Sequence, residues 1–242
     1  MSFADKLIPV QQFNNGNLHL VYGRSGSGKT AFLATFPNSV FISMGDKGLN
    51  TVKNYPNVSY YPFDSDAESL KNLIDELEKE PDYNQTYHFD TFGLWIDSLA
   101  GQMLKASGKK KMTLEMWGDL NVMVKQVVDK IYNLSKTKRC TISFHEDVLK
   151  APEGYDTELA PEVSIFCNAK IAKYICGKVN YAYHTSIKTL TNQNGQPQNF
   201  FTLDVGTHPY YWIKCQVPVG TTLPEYIINP TFESIQQLTL CK

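Results

Sequence analysis

Residues 23–30 read Gly23-Arg24-Ser25-Gly26-Ser27-Gly28-Lys29-Thr30 and satisfy G-x-x-x-x-G-K-[ST] at every fixed position. Three glycines let a backbone turn until successive N–H groups point at one phosphate, with no Cβ atom in the way. A helix beginning near Gly28 adds free N–H groups and its positive dipole end. Lys29 supplies a point charge for the β- and γ-phosphate oxygens, and the Thr30 hydroxyl is a hard oxygen ligand suited to Mg2+. Gly23, Arg24, Ser25, Gly26, Ser27, Gly28, Lys29 and Thr30 therefore form the expected cradle of a nucleoside triphosphate, ATP with Mg2+.

A metal beside that cradle calls for a carboxylate. Asp97 is expected to supply it, because Phe92–Ile96 is a short apolar run that reads as a strand with Asp97 at its carboxyl end. Asp90 is set aside because it precedes that run and would lie toward the opposite edge. The alternative role for Asp97 is to cap the helix that follows. Hydrolysis also needs a group that orients water. Asp46, after the apolar run Ser39–Ser43, and Glu146, after Cys140–Phe144, are the two candidates, with a turn residue as the alternative for Asp46. His145, next to Glu146, is a polar side chain placed to sense the γ-phosphate, or else a histidine hydrogen-bonded under a loop. The expected catalytic set is thus Lys29, Asp46, Asp97, His145 and Glu146, with Thr30 and Asp97 on the metal.

These groups meet only if several strands end at one edge. Asn17–Tyr22 reads as a strand entering the glycine loop, and Lys29–Phe36 as a short helix closed by Pro37. Strands follow at Ser39–Ser43 and Asn57–Phe63, and a helix over Asp66–Glu80 has Leu70, Leu73, Ile74 and Leu77 at helical spacing. Leu99–Lys105 and Thr113–Lys136 read as helices, and Cys140–Phe144 as another buried strand. Strands alternating with helices predict an α/β fold: a mainly parallel central sheet with helices on both faces. After about residue 180 the texture changes. Asn180–Leu190 and Gln198–Gly206 flank Asn194-Gly195, His208–Val217 is a third aromatic-rich run, and Pro230–Leu240 reads as a helix. One domain is expected over 1–242, with a core of about 17–190 and an antiparallel extension with terminal helix over about 180–242.

The whole-chain arithmetic removes other classes. With 42% hydrophobic and 19% charged residues in 242, there is material for a large core, which excludes a disordered or fibrous chain. No window approaches 18 consecutive apolar residues, so no membrane partner is expected. The opening MSFADKLIPVQQF has no apolar stretch to serve as a secretory signal. Five scattered cysteines show neither disulfide nor zinc spacing, and a reducing cytosol fits. A net charge of −1 gives no global attraction to phosphate backbones, so any nucleic-acid contact must be local.

The chain resembles the phage-type nucleotide-binding proteins with a RecA-like P-loop core. The likeness rests on VYGRSGSGKTAFLATFP with the strand after it, on DTFGLWIDSL, on ISFHED and on the Ala160-Pro161-Glu162 to Lys170 stretch, and spans most of 17–220. It implies an ATPase of phage DNA recombination or replication in the host cytosol. Such a protein acts on single-stranded DNA as a ring or filament, alongside phage single-strand-binding or recombination proteins. Lys29, Thr30, Asp97 and His145 take the family's nucleotide, metal, acidic and sensor roles, and Asp46 stands where a glutamate is usual. The family's Lys-acid-Arg cluster before Leu-Pro is reduced here to Lys214. Only Arg24 and Arg139 are arginines, so Lys214 is the expected positive finger in trans, with a surface lysine as its alternative. The loop with Lys105, Lys109, Lys110 and Lys111 is the expected DNA contact, and Tyr155 is the stacking candidate of the next loop.

Two rival readings remain. A P-loop kinase for a small molecule would want lid arginines, which this chain lacks. A binding module in which ATP sets conformation or assembly without hydrolysis stays open because the water-orienting group is not fixed.

Overall fold

The computed structural model describes residues 16–44, 48–64, 66–81, 85–148, 163–192, 195–217 and 220–239. At its centre is β1 (Leu18–Gly23), buried along its whole length. A strand covered on both faces reads as a nearly continuous apolar run, and LHLVYG does so apart from His19. Parallel to it lie β5 (Arg139–Val148) on one side and β7 (Tyr181–Thr191) on the other. The sheet continues from β5 through β4 (Thr86–Asp90) and β2 (Ser39–Ser43) to β3 (Val58–Pro62), all parallel. Beyond β7 come two antiparallel strands, β8 (Pro197–Asp204) and β9 (Tyr226–Ile228), while β6 (Val163–Ile165) pairs antiparallel with the end of β5.

Helices cover both faces. On one, α2 (Ala67–Lys79), α3 (Phe92–Ser107), α4 (Leu114–Leu134) and α5 (Ala169–Lys178) pack over a core that includes Leu20, Ile42, Phe89 and Ile142. The 21-residue α4 turns Leu120, Val124, Val127, Val128, Ile131 and Leu134 inward at helical spacing. On the other face, α1 (Lys29–Leu33) and α6 (Phe232–Thr239) enclose a smaller core of Val21, Phe32, Phe36, Phe41 and Ile235. Side-chain caps set several helix starts: Asp66 accepts from the Ser69 N–H ahead of α2, and Thr113 from the Met116 N–H ahead of α4.

The expected α/β architecture with an antiparallel C-terminal extension is what the chain adopts. Three local readings are corrected. Phe92–Ile96 is not a strand but the start of α3, since Phe92, Trp95, Ile96 and Leu99 recur at i, i+3, i+4 and i+7 and are buried together. The strand lies just before it, at Thr86–Asp90. His208–Val217 is not a third strand: it contributes single bridges, Tyr211 to Val163 and Lys214 to Ala182, and β9 takes the third place. The strand opening the hairpin, β7, is itself part of the parallel core.

Candidate nucleotide and metal site

The phosphate loop leaves the carboxyl end of β1, where Gly23 stands level with His145 on β5 and Thr185 on β7. Its glycines are required by space and backbone. A Cβ on Gly23 would stand 2.3 Å from the Thr185 carbonyl oxygen, and one on Gly28, at φ 92°, 2.7 Å from Cδ1 of Phe201. Lys29 is only 6% exposed. Its ammonium donates to the carbonyls of Gly23 at 2.9 Å and Arg24 at 2.8 Å and lies 3.4 Å from His145 Nδ1. The lysine thus ties together the two carbonyls at the start of the loop. Ser27 Oγ and Thr185 Oγ1, 2.6 Å apart, pin the loop to β7.

Across from Thr30 stands Asp90, not Asp97. Thr30 Oγ1 donates to Asp90 Oδ2 at 3.4 Å, and Ser143 on β5 donates to Asp90 Oδ1. Asp90 is 2% exposed and ends β4 at the edge the phosphate loop faces. Asp97 stands on the solvent side of α3, where partial burial nudges its carboxyl pKa upward. The expected position of Asp97 at a strand end is therefore wrong, because the strand lies one element earlier. A hydroxyl and a buried carboxylate on hard oxygen are a donor pair that fits Mg2+, whose other positions are ordinarily taken by phosphate oxygens and water. Asp90 could be read from the sequence through the helical spacing of residues 92, 95, 96 and 99, which excludes the later strand. Ser143, on β5, carries no motif of its own.

Glu146 lies beside the loop but is not free. Arg24 Nε donates to its Oε1 at 2.7 Å, and His184 Nε2 lies 2.8 Å from its Oε2. His184 Nδ1 faces Asp204 Oδ2, also at 2.8 Å, so its two ring nitrogens lie between two carboxylates. Burial works to raise the Glu146 pKa, but the bonds to His184 and Arg24 outweigh it and hold it below the ordinary carboxylate value. Tyr211 stacks on the His184 ring with centroids 3.7 Å apart. His184, Asp204 and Tyr211 escaped the sequence reading, because no local spacing joins β5, β7 and β8.

Other expected residues fall elsewhere. Asp46 and Tyr155 lie outside the described residues. The Lys214 ammonium donates to the Val179 carbonyl at 2.6 Å, beside Asn180, whose N–H bonds Leu18 at the amino end of β1. Within the single chain this ammonium closes the turn between α5 and β7, a strand's length from that chain's own phosphate loop. Lys105, Lys109, Lys110 and Lys111 are exposed around Gly108, which ends α3. Sixteen helical residues rise about 24 Å, so this cluster stands far along α3 from Asp90 rather than beside the nucleotide edge.

A parallel sheet with a glycine-cradled loop between its central strand and a helix, Lys29 bonded to the loop's first carbonyls and Thr30 facing a strand-end carboxylate, defines a P-loop NTPase. The chain belongs to the AAA domain family, whose profile matches residues 16–203, from the turn before β1 almost to the end of β8. A search of curated proteins finds none that matches the chain. No helix among the described residues is long and apolar enough to cross a membrane.

Proposed function

We propose that the chain is a Mg2+-dependent ATPase. The observation that carries this reading is the meeting of Thr30 and Asp90 at the mouth of the loop that Lys29 ties together. In this reading Thr30 and Asp90 hold the ion, directly or through water, and the ion neutralises charge on the phosphates. Lys29 and the loop N–H groups hold the β- and γ-oxygens, His145 senses the γ-phosphate beside Lys29, and Glu146 or Asp46 orients the attacking water. The resemblance to phage recombination and replication ATPases extends the reading to a cytosolic oligomer acting on single-stranded DNA, met by the α3–α4 lysine loop.

A second reading is favoured by one observation. Glu146 is held by both Arg24 and His184, which suits a protein that binds ATP and uses it to set conformation or assembly without turnover. Phosphate release with and without single-stranded DNA, with particle mass measured in the same buffers, separates the two. DNA-stimulated release by an oligomer is the expected result. Tight ATP binding with no release selects the switch, and no ATP binding at all removes both.

A further inference from the structure

Two clefts open from the phosphate loop, and their chemistry differs. One, of about 430 Å³, is charged and includes Arg24, Ser25, Glu146 and His184. The other, of about 260 Å³, starts at Ser27 and Gly28, runs along α1 and has no charged residue in its lining. That volume falls below the roughly 300–1,000 Å³ of pockets that hold a whole small ligand, and suits one part of a larger ligand anchored next door. Three aromatic rings line it: Phe32, which is buried, and the two open to solvent, Tyr55 at 40% exposed and Phe201 at 44%. Phe201 also packs against Gly28, so the cleft is continuous with the phosphate cradle.

Most polar groups along this cleft are already committed. Thr35 Oγ1 donates to Phe32 O at 2.7 Å and accepts from the Phe232 N–H at 2.8 Å. Thr202 bonds Ser186, Thr185 bonds Ser27, and Thr231 accepts from the Ser234 N–H. Two exceptions are the Tyr55 hydroxyl and Asn229, the latter an exposed residue. The Asn229 backbone takes the left-handed φ of 47° and its N–H donates to the Phe201 carbonyl at 2.8 Å, while its side-chain amide has no partner among the described residues. One amide presents a donor and an acceptor side by side. That pattern matches the N6 donor and N7 acceptor of adenine, whereas guanine offers two acceptors there.

We infer that this cleft is the nucleobase site, that Tyr55 and Phe201 supply its stacking surfaces, and that the Asn229 amide selects adenine over guanine. The inference rests on the ATP-binding reading and deepens it. It also fixes the direction of the bound nucleotide, with the base along α1 toward β8 and the terminal phosphate toward Glu146. Phe201 and Asn229 both belong to the extension, so the antiparallel strands complete the site rather than decorate it.

Calorimetry with ATP, GTP and inorganic tripolyphosphate, each with Mg2+, tests this on the full chain. Wild-type protein is expected to bind ATP more tightly than tripolyphosphate and more tightly than GTP. Tyr55→Ala and Phe201→Ala each weaken ATP by about tenfold, the scale of one lost stacking contact, and leave tripolyphosphate unchanged. Asn229→Gly, which keeps the left-handed backbone unstrained, brings the ATP and GTP constants together. If Phe201→Ala weakens ATP and tripolyphosphate equally, the ring supports the loop and not a base, and the assignment fails. Unchanged ATP affinity in both aromatic variants, or an unchanged ATP-to-GTP ratio in Asn229→Gly, overturns the corresponding residue's role. A wild-type protein that binds tripolyphosphate as tightly as ATP sinks the base site alone. Binding of neither sinks the ATP reading itself.

Discussion

Exchanging two carboxylates by turns tests the assignment of the metal's acidic partner, since the sequence points to Asp97 and the fold to Asp90. In Asp90→Asn, one oxygen that accepts from Thr30 becomes an amide nitrogen and the negative charge is lost. The remaining amide oxygen still serves Ser143, so the buried side chain keeps one of its partners. Stranding the Thr30 hydroxyl costs about 1–3 kcal/mol, the penalty for a polar group left unsatisfied. For a domain of this size that is a fall of roughly 2–4 °C in Tm per kcal/mol, visible but not unfolding. The functional loss is larger. Removing the group that orients a metal's oxygen ligand typically costs about 10- to 100-fold in metal affinity or activity. Asp97→Asn, on the solvent side of α3, is expected to stay within about twofold of wild type, as surface substitutions do.

The assay is phosphate release at saturating ATP across a Mg2+ titration, with thermal unfolding of each variant as the control for folding. Asp90→Asn should lower the maximal rate or raise the Mg2+ requirement by the factor above while melting within several degrees of wild type. Wild-type behaviour in Asp90→Asn, or an equal loss in Asp97→Asn, would refute the assignment and with it the inference from β4 to the metal.

Two further outcomes follow from the same geometry. Glu146→Gln is expected to lower turnover by at least about 100-fold while ATP binding persists, the scale of a lost general base, and unchanged turnover would reduce Glu146 to a clasp for Arg24 and His184. His19 and His88 are buried, and burial foremost, followed by the neighbouring charges, lowers both pKa values from 6.5 to about 3. Both are therefore neutral in the folded state, while the unfolded chain takes up their protons below about pH 6.5. Their contribution to stability is full above that pH and lost as pH falls toward 3. Two such histidines lower the unfolding free energy by about 2 kcal/mol each between pH 6.5 and 5. Urea titrations at pH 7 and pH 5 check it, and equal midpoints would contradict it.

The phosphate loop was legible because its chemistry is local: eight consecutive residues carry the glycines, the cation and the hydroxyl. Sheet class was legible too, since apolar runs alternated with amphipathic helices. Strand β4 was not, because TYHFD hides a histidine in its middle. Burial leaves His88 neutral, and its ring lies within hydrogen-bond reach of Thr141 Oγ1 at 2.7 Å and Ser39 Oγ at 3.0 Å, so a residue that reads as polar serves as core. The run FGLWI then looked like the missing strand, although residues 92, 95, 96 and 99 had helical spacing. Lys214 has a local contact that no spacing announces: its ammonium closes the α5–β7 turn on Val179.

The antiparallel extension shows why part of the site lay beyond sequence reading altogether. Arg24 in the phosphate loop bonds Glu146 on β5, which faces His184 on β7, which faces Asp204 on β8. Lys188 lies 3.2 Å from Asp204 and 3.7 Å from Glu225 ahead of β9. Three strands, β5, β7 and β8, thus share one line of polar contacts that starts at the phosphate loop. On the other side of the loop, Phe201 of β8 sets the space available at Gly28. β8 thus meets the loop directly at Gly28 and, on the other side, only through His184 and Glu146 to Arg24. Loosening β8 therefore reaches the cradle through Phe201 and Asp204 even though neither residue belongs to the motif.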